Sequence, residues 1–319
     1  MFENDTAVWL NLTTIAIISF ILANFAVSTL FSFTQHKLFN ISPISRRFIL
    51  WLMAIAPWVT AICVFCDFTF AMLRDMENIG TFVTHWHHIS TFTFTSWHGV
   101  LLLGWVTATV FIISTKLLKL FRHQQQVASL ERFSSKNEQD IYLLDSDSMT
   151  AFTSGMVSPK CYVSNGMLDK TSQTEQQVIF QHELAHAQNY DPFKKWLFSL
   201  LASFYLQPIA IKMKLHMSLT MEQMADDAIP FHHASKTDVA STLIKVARLN
   251  QNTDPKLEQE CITNFGANAL EQRVLFLLGQ LENKRISKTF SFTLLAITTA
   301  CCLLSLDSIH HLVEVLFNH

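Results

Sequence analysis

The chain has 319 residues, 50% hydrophobic and only 15% charged, with a net charge of −2. That balance excludes direct nucleic-acid binding through a broadly basic surface. Seven Gly, seven Pro and six Cys exclude a collagenous, low-complexity or disulfide-scaffold chain. Only nine of the 48 charged residues fall within the first 115 positions. A stretch so poor in charge belongs in lipid, and the chain reads as a membrane protein carrying a soluble portion.

A membrane-spanning helix needs about 20 largely apolar residues, because hydrocarbon leaves exposed backbone groups unsatisfied. Ala7 to Thr34 contains no Asp, Glu, Lys or Arg. Its acidic flank and its length set it apart from a cleavable signal peptide. Phe48 to Cys66 is a second run, continuing to Leu73 apart from Asp67, and Ile89 to Thr115 is a third. Thr289 to Leu306 is a fourth. Trp196 to Ile211 is shorter and ends near Pro208, so it is a span, a re-entrant or interfacial segment, or part of the soluble block.

Basic residues mark the cytoplasmic ends of spans. Lys37, Arg46 and Arg47 follow the first run, Lys116, Lys119 and Arg122 the third, and Lys284, Arg285 and Lys288 precede the fourth. The expected division is a three-span region over 1–121, a cytoplasmic domain over 122–287, and a last span with a short tail over 288–319. Both termini and the loop from 74 to 88 then face outward.

Within the soluble block, Ile141 to Leu144, Met149 to Thr153 and Cys161 to Ser164 predict short strands, with Gly155, Pro159 and Gly166 as turn residues. Ser172-Gln-Thr-Glu175 fits a capping box that opens a helix running to about Tyr190, where Asp191-Pro192 ends it. Later helices are expected over 216–228, 236–250 and 268–281. The capped helix carries His182-Glu183-Leu184-Ala185-His186. Residues four apart share a helical face, so both imidazoles can reach one Zn²⁺, with Glu183 placed as general base. A third ligand is available in Glu222, and Asp226, four residues on, is placed to orient a ligand histidine; Asp191 is a second candidate for that role. The plainer alternative makes Glu222 and Asp226 an ordinary solvated helix face.

This combination resembles the membrane gluzincins, either the BlaR/MecR-type sensor-transducer peptidases or the HtpX/Ste24-type membrane proteases. The stretch Ala151 to Ser164, the His182–His186 motif followed by Asp191-Pro192, and Gln272-Arg273-Val274 before the last span are similar to the BlaR/MecR pattern. So is the order of three spans, zinc domain and final span. The resemblance implies an α-helical multi-span membrane protein of the bacterial inner membrane with a cytoplasmic α+β gluzincin-like zinc metallopeptidase domain. It implies one Zn²⁺ on His182, His186 and Glu222 and catalysis by Glu183, while the expected strand at Ala151, Phe152 and Thr153 offers an edge to which an extended substrate adds by main-chain pairing. It also implies regulated cleavage of a cytoplasmic protein substrate, such as a winged-helix repressor, or of the chain itself. The alternatives are membrane-protein quality control and a non-catalytic metal-binding receptor. In the antibiotic sensors of that family a penicillin-binding domain follows the last span. Here 13 residues follow it, with no Ser-x-x-Lys pair for a β-lactam to acylate.

Two lesser features remain. His85, His87, His88, His310 and His311 cluster on the expected outer face, where they either bind Cu²⁺ or Zn²⁺ as a signal or sit at headgroup level. Cys63 and Cys66 on the second run, and Cys301-Cys302 on the fourth, read as apolar packing, and Cys161 and Cys261 as reduced thiols.

Overall fold

The charge-free stretches fold as long helices. The computed structural model describes residues 2–3, 5–73, 91–132, 134–136, 141–251 and 260–301. Helices α1 (Asp5–Thr34), α2 (Pro43–Leu73) and α3 (Trp97–Arg132) have 30, 31 and 36 residues. At 1.5 Å per residue each exceeds the hydrocarbon thickness of about 30 Å, and all three are apolar enough to cross a membrane. Residues 288–301 are helical as well; the rest of the fourth apolar run lies outside the described residues. The chain divides into two compact units, one of 1–34, 51–115 and 287–319, the other of 35–50 and 116–286.

In the first unit, Phe20 of α1 meets Trp58 of α2 and Trp105 of α3 edge-on, with ring centroids 4.8 and 4.6 Å apart. Leu12 and Ile15 pack on Val64, while Ala7 and Ile17 pack on Phe92 and Leu102. Asn11 of α1 donates to the Thr91 carbonyl at 3.1 Å, and several hydroxyls of α1 are satisfied within the helix. The hydroxyls of Thr13, Thr14, Ser19 and Ser32 donate to the carbonyl oxygens four residues earlier, the local solution a water-free medium demands. Helix α3 runs on past Thr115 to Arg132. Residues 116–132 contain neither Gly nor Pro, and their Lys, Leu, Gln and Arg favour helix, so nothing ends it at the apolar boundary.

The second unit is built on a four-stranded sheet. Strands β3 (Ser134–Lys136), β4 (Ile141–Leu144), β5 (Ala151–Ser154) and β6 (Lys160–Ser164), numbered after a two-residue pair β1 (Phe2–Glu3) and β2 (Thr91–Phe92) in the first unit, lie in the order β3-β4-β6-β5. β4 and β6 are parallel, and the other two pairings are antiparallel, so β5 is an edge strand. The short helix α4 (Asn165–Asp169) follows β6 directly. Gly166 within it is required: a Cβ there would come 2.1 Å from the carbonyl oxygen of Asp147.

Helix α5 (Gln173–Gln188) opens with the expected capping box, Ser172 accepting from the Glu175 amide and the Glu175 carboxylate from the Ser172 amide. It has two buried faces. Ile179 joins Ile141, Cys161, Val163 and Met167 over the sheet, whereas Val178 packs with Ile229, Val239 and Leu277 of the helical layer. That layer comprises α6 (Asp191–Ala202), α7 (Gln207–Asp227), α8 (Lys236–Gln251) and α9 (Glu260–Leu277). The Trp196–Ile211 run is therefore divided between α6, α7 and the turn between them, and α6, at 12 residues, is too short to span. Pro208 stands in the first turn of α7, where its missing N–H costs nothing; it starts a helix nine residues before the expected start at 216.

Candidate metal centre

His182 and His186 lie one turn apart on α5, and Glu222 comes from α7, which packs against it. Among the described residues these three form a group whose ligand atoms all lie within 4.8 Å of one another. His182 Nε2 is 3.2 Å from His186 Nε2 and 3.3 Å from Glu222 Oε2, and His186 Nε2 is 3.6 Å from the same oxygen. Tetrahedral bonds of about 2.0–2.1 Å set the donor atoms about 3.3–3.4 Å apart, so the triangle has the size such an ion needs.

The outer nitrogens explain why the inner ones are free to bind. His186 Nδ1 lies 2.7 Å from Asp191 Oδ2, and His182 Nδ1 lies 2.9 Å from Asp226 Oδ1. The second approach is close in distance but poorly aligned as a hydrogen bond. With His186 Nδ1–H turned to Asp191 and the Asp226 carboxylate beside His182 Nδ1, the tautomer protonated on Nδ1 leaves a lone pair on each Nε2. Two imidazole lone pairs and a carboxylate oxygen then converge on one point, which only a cation or a proton can stabilise. Burial disfavours the charged form of His182, but Asp226 and then Glu222 outweigh it and raise its pKa to about 9. Burial likewise disfavours a charged Glu222, yet the two histidines, with Lys195 and Arg273, hold its carboxyl well below the usual range.

Local geometry puts each group where it is. Tyr190, between α5 and α6, adopts left-handed backbone angles (φ 54°), which turn the chain so that Asp191 begins α6 against His186. Lys195, one turn further along α6, holds Glu222 Oε1 at 3.1 Å. Arg273 of α9 grips Asp226 through Nε at 2.8 Å and Nη2 at 2.7 Å, with Nη1 3.4 Å from Glu222 Oε2. The Glu183 carboxylate is buried, and Thr153 Oγ1 of β5 lies 2.8 Å from both its Oε2 and its backbone oxygen. A cavity of about 410 Å³ is lined by His182, Glu183, Glu222, Asp226 and Arg273 together with apolar residues such as Phe152, Leu243 and Val246.

A spanning region followed by this histidine–carboxylate centre has a counterpart among known families. The family described as BlaR1 peptidase M56 matches across residues 5–277. The chain belongs to the peptidase M56 family. No curated protein and no solved structure matches it. Membership makes this a membrane-associated metallopeptidase and implies a metal, for which the chemistry and spacing of the His182, His186 and Glu222 donors are suited.

In this M56 chain the structure brings together His182, Glu183, His186, Asp191, Glu222 and Asp226. Ala151, Phe152 and Thr153 lie on the edge strand beside them. His85, His87, His88, His310 and His311 lie outside the described residues. Lys195 has no role in the pattern of candidate ligands, and Arg273 is visible in the sequence only within Gln272-Arg273-Val274. A cation one turn beyond Asp191 was a readable signal for the first. The second had none, since α9 meets α7 only in the folded unit.

Proposed function

We propose that this protein is a zinc endopeptidase of the bacterial inner membrane whose catalytic unit faces the cytoplasm and cleaves a cytoplasmic protein. The supporting observation is the convergence of three electron-pair donors, two histidines and Glu222, at tetrahedral spacing beside a buried carboxylate. A bound Zn²⁺ supplies Lewis acidity toward the scissile carbonyl and lowers the pKa of its water. Glu183 takes the proton from the attacking water on a carboxylate oxygen and returns it to the leaving amide nitrogen. The Thr153 hydroxyl has one proton for two acceptors, and donating it to Oε2 fixes the carboxylate rotamer without neutralising it.

The edge strand supports a peptide substrate. The Ser164 amide donates to the Thr150 carbonyl, and alternation along the antiparallel pair then directs the Ala151 and Thr153 backbone groups away from β6. An extended chain adding to that edge would lie along the cavity holding Glu183. The family resemblance extends the reading to regulated cleavage of a repressor or of the chain itself in answer to an external signal.

The test is metal analysis and cleavage by the detergent-purified protein. We expect about one equivalent of zinc per chain, lost in His182→Ala. Glu183→Ala should keep its zinc and lose about 10²–10⁴-fold in rate. Full zinc content in His182→Ala, or parental cleavage by Glu183→Ala, would overturn the assignment.

A further inference from the structure

Among the described residues Arg46 is the largest fully buried side chain, with 1% of its surface exposed. It lies in the first turn of α2, in the 35–50 segment that connects the first two membrane helices and packs as part of the second unit. Its Nε donates to Thr220 Oγ1 at 2.7 Å, its Nη2 donates to Gln223 Oε1, and its Nη1 reaches the Leu38 carbonyl at 3.5 Å. Among the described residues no carboxylate pairs with it. A buried guanidinium satisfied by neutral oxygens is costly unless each is held in place.

The acceptors matter because of what they flank. Thr220 and Gln223, both fully buried, bracket Glu222 on α7. Gln223 is also a donor, its Nε2 bonding the Gln272 carbonyl at 3.0 Å. The next residue, Arg273, grips Asp226 and approaches Glu222. The guanidinium therefore joins the turn preceding α2 to the helix carrying Glu222, and through the Gln223 amide that linkage extends to the helix carrying Arg273. The groups that hold Glu222 ionised are His182 and His186, then Lys195 and Arg273, and Arg46 is not among them, so the reach of Arg46 to the centre is geometric.

We propose that Arg46 is a positioning residue for the metal centre. It sets the azimuth of α7, and with it the Glu222 carboxylate, from the connection between the first two membrane helices. Any rotation or axial shift of the first turn of α2 must break the Thr220 and Gln223 bonds or carry α7 along. This rests on the reading above that Glu222 is a metal ligand, and it gives that site a point at which movement of a membrane helix can change its metal affinity.

The experiment measures zinc affinity of the full-length, detergent-solubilised protein against a chromophoric chelator, well below its melting temperature. Arg46→Met should bind zinc at least about tenfold more weakly, the loss typical when groups supporting a ligand are removed. Arg46→Lys should restore little, since an ammonium cannot fork across the three acceptors. Arg47→Met, the neighbour outside this network, should bind as the parent does. Arg46→Met combined with Gln223→Met should be no weaker than the worse single variant, because both break one linkage. Should Arg46→Met fail to fold, Thr220→Val removes a single acceptor and should weaken zinc in the same direction. Parental affinity in Arg46→Met, or in Thr220→Val if that variant must stand in, overturns the proposal, as does simple additivity in the double variant. A parent that binds no zinc overturns the metal-site reading and this inference with it.

Discussion

Asp226 shows how a single carboxylate can hold a site together. It is fully buried, 2.9 Å from His182 Nδ1 and doubly bonded to Arg273. Burial would raise its carboxyl pKa, but Arg273 and then His182 hold it below the usual range. Asp226→Asn keeps the shape and removes the charge. We expect a fall in zinc affinity of about 10–100-fold, measured by chelator competition; unchanged affinity would leave Asp226 a purely structural partner of Arg273. The grouping of His182, His186 and Glu222 was legible in the sequence because helical periodicity alone brings the histidines together, and Glu222, with Asp226 four residues on, supplied a carboxylate. Arg46 was legible only as a marker of membrane orientation. Its contacts lie 174 and 177 residues away in the chain, and no local pattern reaches that far.

At the scale of elements, α5 depends on its first turn. Ser172 and Glu175 satisfy one another's orphan amides, and Lys245 of α8 pairs with Glu175 Oε2. Ser172→Ala should cost about 1 kcal/mol and lower the melting temperature by a few degrees, about 2–4 °C for a unit of this size. Lys245, then the Ser172 amide, hold the Glu175 carboxyl below its ordinary value. A depressed carboxylate pKa contributes stability above the unfolded value and loses it as pH falls through the folded one. The deficit of Glu175→Gln relative to the parent should thus be constant at neutral pH and shrink below about pH 4. A deficit that grew on acidification would contradict this origin. Strands were readable at 141–144, 149–153 and 161–164 from apolar and aromatic runs between turn residues, and the structure places them at 141–144, 151–154 and 160–164. β3 was not: Ser134–Lys136 has no apolar alternation, and only pairing with β4 makes it a strand.

For the whole molecule, the proposed orientation rests on where the basic residues stand at the ends of the apolar helices. In a variant lacking its native cysteines, Thr6→Cys should react in intact cells with a membrane-impermeant maleimide, whereas Asp145→Cys should react only after lysis. The reverse pattern would place the catalytic unit outside. Three long apolar helices were plain in the sequence, but the division into compact units was not. The 35–50 segment carries the basic residues of a loop, and nothing in its composition shows that Leu38, Arg46 and Leu50 are buried.

Tyr190 is the single described non-glycine residue with positive φ, and about half of its surface is exposed. Left-handed backbone costs an L-residue roughly 1–2 kcal/mol, and a half-exposed ring recovers little of that by packing. The tight corner it makes is what seats Asp191 on His186. Tyr190→Gly would relieve the strain but enlarge the freedom of the corner in the unfolded and folded chain alike. The protein should then melt at an unchanged or higher temperature while its hydrolytic rate falls, a separation that thermal melts and peptide cleavage on one preparation would reveal. A variant as active as the parent would show that the corner is replaceable. Otherwise this bend is a place where durability has been exchanged for catalytic alignment, and thermostabilising substitutions chosen by backbone geometry alone would select the wrong residue here.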